Sequence, residues 1–206
     1  MKALHAVAAG LLPALCVACG HSCRSGAVLC TRCSRLAEAE PLSGSGPAGL
    51  DRAWSSAAHE GVARDLVAAL KFRRLLPVAE LIAERIQWLA PAALLSGAIV
   101  PVPTSPLRSL RRGFDPAAEI AAALAERTDL DLCSCLIRRG GGRQVGRRRA
   151  QRIGHPPHVH PRGEVPRSVL LVDDVITTGA TLSACARALR GAGAVRVAAI
   201  TFTRRL

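Results

Sequence analysis

The chain has 206 residues, half of them apolar, and a formal net charge of +13. That apolar content excludes an intrinsically disordered chain and supports one compact α/β domain of ordinary size with a small appendage. The charge is almost wholly arginine, since Lys2 and Lys71 are the only lysines; it points either to phosphate-bearing partners or to a genome rich in G and C, which inflates arginine and alanine.

The N-terminal stretch "MKALHAVAAGLLPALC" is apolar only briefly, being interrupted by His5 and Pro13, and Leu15 before Cys16 is too bulky for a small-residue cleavage site. It reads as a short helix. Nowhere do about 18 apolar residues run uninterrupted, so no membrane span and a cytoplasmic location are expected. Cysteine then clusters in "CVACGHSCRSGAVLCTRC", where Cys16 and Cys19 form one C-x-x-C and Cys30 and Cys33 another. Two such knuckles converge four thiolates tetrahedrally on Zn²⁺, and Gly20 permits the tight turn that aims backbone N–H groups at sulfur. A redox pair would instead open a helix after a strand, and a disulfide framework would suit a secreted chain. Four thiolates leave no open position, so the metal is read as structural. Cys23 and His21 lie between the knuckles as spare ligands, and Cys133, Cys135 and Cys185 are read as small core residues.

Residues 1–40 are accordingly taken as an N-terminal helix and zinc module, "PLSGSGPAGL" at 41–50 as a linker, and 51–206 as the main domain. Gly44, Gly46 and Gly49 spell G-x-G-x-x-G, but no strand precedes them and Pro47 sits where a helix should start, so the match is read as accidental. Beyond it, "RDLVAALKF" and "LPVAELIAERIQWLA" have helical spacing, and "GAIVPVP" is a strand ended by prolines. "DPAAEIAAALAERT" is a helix with Asp115 as N-cap and Pro116 in its first turn. "LCSCLI" and "SVLLVDD" read as buried strands, "ATLSACARALRGAGA" as a helix closed by Gly191 or Gly193, and "VRVAAITF" as a last strand. Strands separated by helices predict a parallel sheet with helices on both faces.

Asp173 and Asp174 fall at the carboxyl end of such a strand, where open parallel sheets bind ligands. Gly179 lets the next loop wrap tightly, and the following helix presents unpaired N–H groups. With Thr177, Thr178 and Thr181 adding hydroxyl donors and Ala180 an amide, residues 177–181 form an anion site. Two carboxylates beside a phosphate would repel it unless turned toward hydroxyls or a cation, and vicinal sugar hydroxyls fit. A ribose 5-phosphate satisfies both halves. A P-loop NTPase would need G-x-x-x-x-G-K-[ST], and neither lysine follows a glycine. A purely structural reading has the aspartates capping a helix and the threonines filling a turn.

"VLLVDDVITTGAT" resembles the phosphoribosyl-pyrophosphate motif of type I phosphoribosyltransferases, in which the acidic pair holds ribose hydroxyls, the threonine-rich loop holds the 5-phosphate and Mg²⁺ joins the pyrophosphate. The four cysteines, "HEGVARDLVAALKF" with His59 at an aromatic position, and "VPVPTSPLRSLRRGF" narrow the resemblance to the ComF family, linked to DNA uptake in naturally competent bacteria. That resemblance implies phosphoribosyl pyrophosphate or a related ribose phosphate as ligand, structural Zn²⁺, Mg²⁺ with the pyrophosphate, and DNA-uptake or helicase proteins as partners. The loop Pro101-Val102-Pro103-Thr104 would offer backbone N–H groups to pyrophosphate. Lys71, Arg111 and Arg112 would neutralise its charge, although a solvated loop explains the two arginines nearly as well. No general base stands out, so transferase activity stays open; the alternative is a nucleobase-salvage phosphoribosyltransferase, for which no base-binding hood is recognisable. The segment 138–160 stands where the family has a flexible loop: Gln144 and Arg152 fit its pattern, but His155 replaces an Asn. Its dense arginines suit substrate phosphates or single-stranded DNA, and with three Phe, two Trp and no Tyr in the chain such DNA contact would be electrostatic.

Overall fold

The computed structural model describes residues 14–37, 40–44, 46–139 and 157–206. The expected N-terminal helix falls almost wholly outside these, as do Gln144, Arg152 and His155. The described chain begins with β1 (Ala14–Leu15), β2 (Ser22–Cys23) and α1 (Thr31–Leu36), which frame the cysteine knuckles, followed by β3 (Leu42–Gly44) and β4 (Arg52–Ala58). Then come α2 (Gly61–Arg73), α3 (Pro77–Leu89), β5 (Ala98–Pro101), α4 (Pro106–Arg112), α5 (Pro116–Thr128), β6 (Leu136–Arg138), β7 (Val159–Pro161), β8 (Ser168–Ile176), α6 (Ala180–Gly191) and β9 (Arg196–Arg204).

The apolar runs Val169–Val172 and Val197–Ile200 make β8 and β9 the centre of a five-stranded sheet of order β3-β4-β9-β8-β5. All neighbours are parallel except β3, which runs antiparallel to β4 at the edge. This mixed α/β architecture is the one expected, with two local corrections. The segment taken as a linker supplies β3, because the outer edge of β4 presents unpaired N–H and C=O groups and three extended residues suffice to pair with them. "LCSCLI" does not enter the main sheet as a full strand. Only Leu132 bridges to Ile99; the chain then turns away, and β6 pairs antiparallel with β7 in a separate ribbon.

Side chains alternate along each strand, so the sheet has two apolar faces. One packs Leu170, Val172, Ile200 and Phe202 against Leu66, Leu70, Ile82, Ile86, Ile120 and Leu124 of α2, α3 and α5. The other packs Val169, Leu171, Val197 and Ala199 against Leu182, Cys185 and Leu189 of α6. Each such leucine or isoleucine withdrawn from water contributes about 1.5–3 kcal/mol. Cys135 and Cys185 are buried members of the second face and Cys133 packs against it, as expected of small core residues. Asp115 caps α5 as predicted, accepting from the Ala117 amide at 3.1 Å with Pro116 in the first turn.

Candidate functional site

β5 stops at Pro101, opposite Val172, while β8 continues to Ile176 on its β9 side, where Asp173, Val175 and Ile176 pair with Thr201, Thr203 and Arg204. The expected strand end at Asp174 is thus two residues short. The acid pair lies where β8 projects past a neighbour ended by prolines, which cannot donate to a ladder. Alternation sends Asp174 to the α2 face and Asp173 toward α6. Asp174 is buried, and its Oδ1 receives the Lys71 ammonium at 2.7 Å. Asp173 keeps some surface in the cleft and accepts the Asp174 amide at 2.9 Å. Desolvation, then repulsion from Asp174, holds its carboxyl well above the usual carboxylate range.

Both acids line a cleft of about 540 Å³ together with Thr177, Thr181, Val102, Pro103, Lys71 and Arg112. Pro101, Thr178, Gly179 and Ala180 are not among its lining residues, Thr178 and Ala180 being exposed. Gly179 adopts φ +72° as the N-cap of α6, and a Cβ there would lie 2.2 Å from Pro47 Cγ. Glycine is therefore required twice, by the left-handed backbone and by the proline ring that backs the threonine loop. Gly179→Ala is expected to cost about 2 kcal/mol, a fall of roughly 4–8 °C in Tm. Pro47→Ala in that background should restore part of it, as a thermal melt would register.

The Pro101–Thr104 loop does not have the amides expected of it. Pro101 and Pro103 carry no N–H, the Val102 amide donates to Val172 O at 2.9 Å, and the Thr104 amide donates to Asp115 Oδ2 at 3.0 Å. Thr104 Oγ1 also donates to Asp115, at 2.9 Å. The loop walls the cleft without a free amide, and an anion beside it meets cationic side chains instead. Besides Lys71 and Arg112 these are Arg64, Arg108 and Arg138, giving five cations against two acids in the lining. Two of the three additional arginines carry a periodic signal: Arg64, Val67, Ala68 and Lys71 share one face of α2, and Arg108 and Arg112 one face of α4, whereas Arg138 ends β6 and carries none. That face excludes Arg111. The segment of Arg111 and Arg112 is a short helix, capped by Gly113 at φ +72°, with Arg112 stacked 5.5 Å from the Phe72 ring centroid.

Ahead of the sheet in sequence, the Sγ atoms of Cys16, Cys19, Cys30 and Cys33 lie within 4.8 Å of one another, with Cys19 and Cys30 3.7 Å apart. A tetrahedral ion with metal–sulfur bonds of about 2.3 Å needs sulfurs about 3.8 Å apart, so the donor set fits zinc. Gly20 has φ +73° and its amide donates to Cys16 O at 2.9 Å, closing the first knuckle. Burial opposes ionisation of Cys16, yet backbone groups of Cys30, Cys19 and Ala18 bring its thiol down to about 6. Cys23 stays outside the cluster, its Sγ donating to Ala14 O and Ala27 O at 3.2 and 3.3 Å, and His21 is not a member. Among the described residues no other group of this kind occurs, and no helix is long and apolar enough to cross a membrane.

Residues 110–206 match the family model of the phosphoribosyl transferase domain. With the parallel sheet and the acid pair at its rim, this defines a protein carrying a phosphoribosyltransferase-type domain. The competence protein ComFC of Streptococcus pneumoniae (strain ATCC BAA-255 / R6) is 30% identical over 107 residues, 51% of this chain and 47% of that protein. The chain is thus ComF-like, and the match spans about half the length of that relative. Two solved structures are also similar. Orotate phosphoribosyltransferase from Aeropyrum pernix has a TM-score of 0.39 and 21% identity, over 63% of either chain. Glutamine phosphoribosylpyrophosphate amidotransferase from B. subtilis, complexed with ADP and GMP, has a TM-score of 0.37 and 24% identity, over 68% of this chain and 26% of its own.

Proposed function

We propose that this ComF-like protein binds phosphoribosyl pyrophosphate or a related ribose phosphate in the cleft and acts in DNA uptake, where single-stranded DNA and helicase-type proteins are its partners. What supports the reading best is one juxtaposition: two carboxylates for a diol, a hydroxyl-rich loop at a helix N-terminus, and five cations on a single 540 Å³ cleft. Asp173 and Asp174 would accept the ribose hydroxyls, and Thr177–Thr181 would take the 5-phosphate. Lys71, Arg108, Arg112 and Arg138 would meet the pyrophosphate through side chains, while Val102 and Pro103 shape the wall. Mg²⁺, which takes most of its ligands from substrate phosphates and water, would enter with the pyrophosphate. Zn²⁺ on the four thiolates would hold the N-terminal module.

Calorimetry with phosphoribosyl pyrophosphate and Mg²⁺ tests this. Wild type is expected to bind and Asp173→Asn/Asp174→Asn to lose binding at least a hundredfold, roughly the loss of two charge-assisted hydrogen bonds of about 1.5–3 kcal/mol each. Undiminished binding by the folded double variant would overturn the reading. Pyrophosphate release on adding a panel of free bases would make the protein a salvage transferase instead.

A further inference from the structure

His59 stands just after β4, lines the cleft, and is half-buried. Its Nδ1 lies 2.9 Å from Thr203 Oγ1, and Thr203 Oγ1 lies 3.3 Å from Asp174 O, a carbonyl that can only accept the one hydroxyl proton. Nδ1 is therefore the donor of its pair, which fixes the tautomer and leaves a lone pair on Nε2 with no protein partner among the described residues. Where the ComF motif has an aromatic ring, this chain places an oriented base inside a cleft lined by five cationic side chains.

We propose that His59 is a proton-accepting member of the anion site, entering the complex as imidazolium with a proton taken from solvent onto Nε2. The inference rests on the reading of the cleft as a site for phosphorylated ligands. In the free protein the surroundings lower the ring's pKa. Burial disfavours the charge, Lys71 and Arg64 on α2 and Arg205 beyond β9 repel it, and only Asp174 on β8 favours it, an acid already paired with Lys71. A bound polyanion reverses this balance by neutralising the same cations. Protonation requires no rearrangement, because Nδ1–H keeps its bond to Thr203 while Nε2–H turns a charged donor toward the ligand. Since the ring's pKa is higher in the complex than in the free protein, affinity is greatest below the free-state value and declines as pH rises through the bound-state value.

Pyrophosphate binding followed calorimetrically in two buffers of different ionisation heat reads the protons taken up. For a one-unit rise wild type should take up at most about half a proton more than His59→Gln, and its affinity should gain several-fold more between about pH 8 and about pH 6, approaching tenfold below the free-state pKa. Titration of pyrophosphate itself cancels in the comparison. His59→Tyr restores the aromatic residue of the motif and serves where Gln disturbs packing. Equal proton uptake in all three proteins would overturn the inference with the anion site intact, and failure of wild type to bind pyrophosphate would overturn both. Proton-linked pyrophosphate binding alongside ribose 5-phosphate binding indifferent to Asp173→Asn/Asp174→Asn would sink the ribose reading alone.

Discussion

Removing metal from the four-cysteine cluster is expected to unfold residues 14–37 while leaving the central sheet folded. Little else holds that segment: β1 and β2 are two residues each, α1 is six, and only Cys16, Cys33 and Ala37 are buried. A structural zinc ion contributes on the order of 10 kcal/mol to a module of this kind, more than so few contacts supply. Its attachment to the rest is local. Val17, Val28 and Leu29 pack against the core beneath α3, and Arg85 on α3 donates to Ala37 O. Chelation or Cys19→Ser should therefore expose that face of α3 and lower the Tm, with amide exchange accelerating across 14–37 but not across β8 and β9. Zinc content by plasma emission should be close to one per chain before chelation. Protection of 14–37 that survives complete metal removal would show the module to be held by packing alone.

The elements that sequence reasoning recovers are those whose burial is written in their composition. β8 is a run of Val and Leu entering both cores, and α3 and α5 repeat apolar residues at helical spacing. β4, "RAWSSAA", escapes that rule because its buried residues other than Trp54 are small or polar, and Ser55 is satisfied only by Thr201 on β9, at 2.7 Å. β3 lies among Gly, Ser and Pro and exists because β4 needs a partner. α4 buries nothing and so has no apolar stripe to read. The same distinction holds at the site. Asp173, Asp174 and the threonine loop are contiguous and appear as a motif, whereas Arg64, Arg108 and Arg138 become neighbours only through folding. The Pro101–Thr104 loop shows the converse limit: its amides are counted from the sequence, but whether they are free depends on Val172 and Asp115. Gly49, part of the dismissed G-x-G-x-x-G, has φ +94° and sits where a Cβ would lie 3.2 Å from Ala186 Cβ, so it serves close approach to α6 and no nucleotide.

The adjacent aspartates are expected to respond to the same substitution with opposite signs. Asp174 neutralises Lys71 across 2.7 Å where both are largely shielded from water. Asp174→Asn leaves a half-buried ammonium without a counter-charge and should cost about 2 kcal/mol. Asp173 has no such partner. Desolvation and the charge of Asp174 raise its carboxyl well above the usual range, so its ionised form is a burden on the fold. Because the folded pKa exceeds the unfolded one, its stabilising contribution is present at low pH and lost as pH rises through the folded value. Asp173→Asn, whose amide oxygen can still accept the Asp174 N–H, should therefore stabilise the protein by about 1 kcal/mol near neutral pH. The gain should shrink toward zero on acidification. Urea unfolding of both variants at about pH 5 and about pH 7.5 measures this, the two curves flanking wild type at the higher pH. A destabilised Asp173→Asn would mean that the carboxylate serves the fold. A stabilised one would mean that the fold retains an acid it would be better without, as expected of a group kept for a ligand.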